Sequence, residues 1–156
     1  MTITLLSQRI MEEMMLRIHM QTAQIKDDEA RFIIRPEAEE QPALNRAVYD
    51  AIARMSTIFG TYMEPVTAST ESSALALPQS FAFELSLNPR RLASNEQSLA
   101  NAMFTYIVDS AIYSFYLANS ASELVKIQLS AIETDTQNLE QLIFIKREPT
   151  YSQPNS

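Results

Sequence analysis

His19 is the one imidazole in this chain, and neither cysteine nor tryptophan accompanies it. A histidine on a helix joins a metal site through partners three or four residues away, as in His-Glu-x-x-His. Met15 and Ala23 stand at the four-residue positions, while Glu12 and Glu13 are out of step. His19 therefore reads as a surface or interface residue. Asp27-Asp28-Glu29 could offer oxygens to a hard cation. Calcium loops, however, space their oxygens and turn on a glycine. Three consecutive acids without one read as a solvated helix end.

Asp109 is the sharper candidate. It is the sole charge between Leu99 and Leu117. A buried carboxylate with a raised pKa marks many functional sites. The alternative is an Asp at a helix edge, or one bonded to a Tyr, Ser or Arg. An enzyme built on Asp109 with Tyr106 or Tyr113 would still lack a nucleophile, a base and an orienting group brought together. No catalytic, cofactor-binding or metal-binding residue is assigned from the sequence, and no cofactor is expected.

The glycine content narrows the chemistry further. Gly60 is the one glycine in 156 residues, where an average chain of this length carries about ten. Phosphate-cradling loops and nucleophile elbows need glycine where backbone approaches ligand or turns sharply. The net charge of −7, with dispersed Lys and Arg, argues against direct nucleic-acid readout. The absence of cysteine removes disulfides and thiolate metal sites and fits a reducing compartment. No signal peptide is read at the N-terminus. The expected location is cytoplasmic, or a virion if the chain is phage-encoded. Leu99 to Leu117 is long enough to span a bilayer, but Asp109 and the lack of flanking Lys or Arg favour a buried helix over a membrane span.

The elements that would position these residues follow from periodicity. A first helix is expected from Thr4 to about Lys26, on Leu6, Ile10, Met14 and Ile18, with Ser7 as its N-cap. Phe32 to Arg35 reads as a short strand or extended linker before Pro36. A second helix starts at Pro42 and carries Leu44, Val48, Ile52, Met55, Phe59 and Tyr62 on one stripe, ending near Gly60 and Pro65. Glu64 to Ser80 is dense in Ser and Thr and reads as a mobile loop. Phe81, Phe83, Leu85 and Leu87 then alternate with smaller or polar residues, which predicts a half-buried strand.

Ser94 to Gln97 forms a capping box that opens a third helix, apolar nearly all round and so central. Ser120 to Glu123 is a second such box, marking either a fourth helix or a bend. Thr134 to Asn138 reads as a break, and Leu142 to Lys146 as a strand that pairs with the one at Phe81. The fold class is mainly α (α+β): three to four helices with a small two- or three-stranded sheet, Ile33 marking the third strand. Residues 1–149 form one helical domain with a mobile loop at 64–80, and 150–156 form a polar tail.

Met11, Met14, Met15 and Met20 crowd the first helix, too closely to face one core. With Phe104, Tyr113 and Tyr116 of the third helix they are candidate interface residues; Asp109 is the candidate buried polar group. The expectation is a non-enzymatic structural subunit contacting other protein subunits, a homo-oligomer within a larger assembly. Its layout parallels that of phage or virion neck, connector (head-tail) and tail components, at the level of layout alone. A small acidic intracellular adaptor or immunity-type module is the alternative, and an enzyme of unknown class the second.

Overall fold

The computed structural model describes residues 1–23, 41–65, 76–87, 96–119 and 121–144. Four helices and a two-stranded antiparallel sheet make up the fold: β1 (Thr2–Leu6), α1 (Ser7–Ala23), α2 (Gln41–Phe59), β2 (Ser80–Glu84), α3 (Glu96–Ala118) and α4 (Ser122–Phe144). This is the mainly α architecture expected. The segments at Asp27–Glu29, Phe32–Arg35, Ser94 and 150–156, and most of the Ser/Thr-rich stretch, lie outside the described residues.

The chain opens as a strand rather than as the start of a helix. Thr2 and Thr4 are β-branched and alternate with Ile3 and Leu5, a period of two that favours a pleated, half-buried surface. Ile3 and Leu5 are buried, while Leu6 is exposed and has no part in the helical stripe expected of it. α1 follows immediately, burying Ser7, Ile10, Met14, Ile18 and Thr22. Ser7 does not cap the helix: its hydroxyl is buried with no hydrogen-bond partner. Its N–H instead donates to the Gln79 carbonyl at 3.1 Å, tying the helix start to the chain just before β2.

β2 runs antiparallel to β1, with Ile3 opposite Phe83 and Leu5 opposite Phe81. Phe81, Phe83 and Leu85 all face the core, as their alternation predicts. The strand expected at Leu142–Lys146 is absent from this sheet, because Leu142, Ile143 and Phe144 are the last turn of α4.

α2 buries Leu44, Val48, Ile52, Met55 and Phe59, and then a 3-10 turn, Gly60–Tyr62, carries the chain out of the helix. Gly60 sits at φ +56°, a conformation L side chains avoid. Here a glycine is needed because the backbone must reverse its hand to end the helix. Tyr62 consequently leaves the stripe and is exposed, its ring edge-on to Phe144 at 5.9 Å. The chain beyond the turn rejoins the sheet, Glu64 N–H donating to the Glu84 carbonyl and Ser86 N–H to the Tyr62 carbonyl. The Ser/Thr-rich stretch is therefore anchored at both ends: by this bridge, and by Tyr49 Oη donating to the Ala76 carbonyl.

α3 is the central element, packed against α1, α2, α4 and β1. Its buried set runs from Leu99 through Tyr116 and includes seven consecutive residues, 106–112, so burial encircles the helix in its middle. α4 is a separate helix that returns along α3, since Gln128 meets Asp109 across the hairpin. It continues through Thr134–Asn138 without the expected break. Thr134 and Thr136 return their hydroxyls to the carbonyls of Ser130 and Ile132, so neither competes with the helix. Among the described residues no helix is long and apolar enough to cross a membrane.

α4 buries Gln128, Asp135, Leu139 and Ile143, and packs Leu124, Val125, Ile132 and Leu142 half-buried against the core. Leu139→Ala is expected to cost about 2–5 kcal/mol, the range for a fully buried Leu, and to speed amide exchange along α4. Ile127→Ala, at a position 60% exposed, should stay within about 0.5 kcal/mol of wild type. Urea titration and hydrogen exchange of both variants check the pair.

Candidate functional site

The polar residues with chemical potential gather at one place, where α1 and α4 meet α3. Helical spacing brings them there. Arg17 follows Met14 on α1 and precedes the buried Ile18; Asp109 sits within the most buried stretch of α3; Gln128 and Asp135, two turns apart, share the inward face of α4.

Asp109 is 6% exposed. Its Oδ1 accepts from Arg17 Nη1 at 2.6 Å and from Gln128 Nε2 at 2.9 Å, and its backbone carbonyl accepts from the same Gln128 amide at 3.1 Å. Arg17 also donates from Nε to Glu13 at 2.9 Å, one turn back on α1. Burial opposes the charge on Arg17, but the bonds and charges of Glu13 and Asp109 outweigh it and hold its pKa above the ordinary guanidinium value. Gln128 Oε1 accepts from Gln21, and Gln21 in turn accepts a close hydrogen bond from Tyr116. The chain of bonds therefore runs from Glu13 through Arg17, Asp109, Gln128 and Gln21 to Tyr116 without interruption. Burial pushes the Tyr116 hydroxyl well above the usual phenol range, so it stays a neutral donor.

Asp135 stands beside this chain. It is 8% exposed, and its Oδ2 is buried with no hydrogen-bond partner. Desolvation, and then the neighbouring Asp109 carboxylate, push its pKa up to about 8, against a smaller opposing pull from Arg17. The physical cause is that two carboxylates in one dry site cannot both ionise. At neutral pH Asp135 is a carboxylic acid able to donate to Asp109. Burial also raises Tyr106, with Arg54 and Ser110 pulling it down and Asp135 adding to the rise.

On another side of α3, Arg54 from α2 donates to Ser110 Oγ at 3.0 Å and lies over the Tyr113 ring, 5.7 Å from its centre. Every helix of the fold is thus joined to α3 by at least one polar bond. A proton-sharing acid pair is a component of acid–base chemistry. Here the Asp109 oxygens are taken by Arg17 and Gln128 of neighbouring helices, while Asp135 Oδ2 is left without a partner. The two clefts described on the surface lie elsewhere. One, about 470 Å³, opens between α2 and α3 beside Arg46, Asp50 and Ser114. The other, about 550 Å³, lies at the β1–α1 junction beside Leu6, Met11 and Gln41.

The remaining candidates separate by exposure. Met14 and Tyr116 are fully buried within the chain, which leaves them no surface to offer a partner. Met11, Phe104 and Tyr113 are half-buried. Met15 and Met20 are exposed, together with Leu16, which the sequence reading did not single out. His19 is exposed on α1, and no group of residues among those described could hold a metal ion. Gln128 and Asp135 were also missed. A polar residue at a core position leaves no apolar signal, and only the seven-residue spacing between them hints at a shared face. Comparison with protein-family models, curated proteins and solved structures finds no match to this chain.

The acid pair makes stability depend on pH with a definite sign. Asp135 titrates near 4 when unfolded and near 8 when folded. Its contribution is complete below about pH 4, declines as pH rises, and is gone once pH passes about 8. Asp135→Asn should therefore gain on wild type as pH is raised from 5 to 8.5. Urea midpoints of both proteins at the two pH values test this; a constant difference would contradict it.

Proposed function

We propose that this chain is a non-enzymatic structural subunit that works through protein–protein contact in a larger assembly. One observation carries the reading: the outer face of α1 leaves Leu16, Met20 and Met15 at 53%, 59% and 37% exposure. Large apolar side chains at i and i+4 form a continuous stripe on a helix. Such a stripe beyond scattered single residues marks an interaction surface. Ile127 and Leu129 on α4, at 60% and 43%, add to the exposed apolar surface.

The chemistry-bearing groups support the same reading by their occupation. Asp109 and Tyr116 are engaged between helices, and the bonds of Asp109 run to neighbouring helices rather than into a cleft. A methionine-rich helix face suits the role, because the unbranched thioether adapts to irregular partners. The finer identification, a neck, connector or tail-type component of a phage particle, rests on the layout of a small helical unit with an added strand pair. A compact acidic adaptor is the competing reading.

The 17.7 kDa chain should sediment as a multiple of its own mass at micromolar concentration. Leu16→Glu with Met20→Glu, both at exposed positions, should reduce association while leaving the thermal melt unchanged. A monodisperse, well-folded wild-type monomer across the concentration range would overturn the subunit reading and favour the adaptor.

A further inference from the structure

The two-stranded sheet is asymmetric at its edges. Met1 and Leu85 form a hydrogen-bonded pair, Leu85 N–H donating to the Met1 carbonyl at 2.7 Å. In an antiparallel ladder the bonded pairs alternate, so with Ile3 opposite Phe83 and Leu5 opposite Phe81, the odd residues of β1 bond to β2. Thr2 and Thr4 must then direct their N–H and C=O groups away from β2, as Leu6 does its N–H, the Leu6 carbonyl opening the bonding of α1. Toward the end of β2, the outward edge is closed by the bonds that Glu84 and Ser86 make with the 62–64 segment. Among the described residues nothing bonds to the outward edge of β1 in this way.

We propose that β1 pairs antiparallel with β1 of a second copy of this chain, joining two two-stranded sheets into one of four strands. This rests on the subunit reading and names one of its contacts. The sequence Thr-Ile-Thr-Leu-Leu carries no Lys, no Pro and no charged side chain, the residue types that usually blunt an edge. It is also complementary to itself. A two-fold axis at Thr4 sets Thr4 opposite Thr4 and Thr2 opposite Leu6, and these are the residues whose backbone groups point outward. The Thr4–Thr4 and Thr2–Leu6 pairs are the hydrogen-bonded ones, and the Ile3–Leu5 pairs between them are not.

The same register keeps the faces in phase. Ile3 and Leu5 of both copies stay on the core side, and Thr2, Thr4 and Leu6 stay on the solvent side, so no side chain changes face. Thr–Thr is a favourable cross-strand pair. Leu6, half-exposed in the single chain at 49%, gains the partner's Thr2 as a cross-strand neighbour. The contact is isologous, as a two-fold dimer requires. A foreign strand would satisfy the backbone equally, but it would not be matched by the symmetric placement of these three residues.

Thr4→Pro tests the pairing directly. Its N–H points outward, so proline removes no bond within the chain and occupies an edge position where it is tolerated. In a pair it deletes both N–H donors at the two-fold axis. Thr4→Lys is the second variant: its exposed side chain is harmless in one chain but sets like charges opposite each other in a pair. Both should weaken self-association by about tenfold or more, with Thr4→Val close to wild type and circular-dichroism melts unchanged. In wild type, the Thr4 and Leu6 amides should become protected from exchange as concentration rises, while Ile3 and Leu5 are protected throughout. A wild-type oligomer that Pro and Lys leave intact, with Thr4 exchanging freely, overturns the edge pairing and leaves the subunit reading standing. A wild type that is monomeric at every concentration overturns both.

Discussion

The carboxylate of Asp109 is the constraint on which the placement of α1 and α4 depends. It sits in the most buried stretch of the central helix, where an unpaired charge would be intolerable. Arg17 from α1 and Gln128 from α4 meet it there. Each fixes its own helix in rotation and in height against α3, because a charge-assisted hydrogen bond tolerates little displacement. On α4 two of the four buried residues are polar, so the network adds to the apolar packing of Leu124, Val125, Ile132 and Leu142 against the core. Removing one partner would leave the others buried and unsatisfied, which costs more than the bond itself contributes.

The same network explains what was and was not legible in the sequence. α2 and β2 carry their patterns openly, at periods of about four and of two, and both form where those patterns stand. The central place of α3 followed from an apolar surface too wide for one contact face. β1 was hidden because Leu6 lies four residues before Ile10 and so extends the helical stripe on paper. Only the alternation of Thr2, Ile3, Thr4 and Leu5 distinguishes the strand, and five residues carry little periodicity. The second half of α4, beyond Thr134, was hidden for a different reason. The inward positions of the helix at Gln128 and Asp135 are polar, so its buried face does not look buried. Asp109 stood out as a lone charge in an apolar run, but its partners lie 92 and 19 residues away. Nothing local in a sequence names partners at such separations.

Inside the fold, Arg17, Asp109, Gln128 and Asp135 are held against one another between helices. Among the described residues, Leu16 and Met20 of α1 are the large apolar side chains left side by side on one exposed helix face. The one glycine, Gly60, ends a helix at φ +56°.

A double-mutant cycle between Asp109 and Gln128 tests most directly whether the buried acid is a structural anchor. Asp109→Ala, Gln128→Ala and the double variant would be unfolded in urea at pH 7. A coupling of roughly 1–3 kcal/mol is expected, with the double variant far less destabilised than the sum of the two single ones. Additive losses, with no coupling between the two positions, would contradict it.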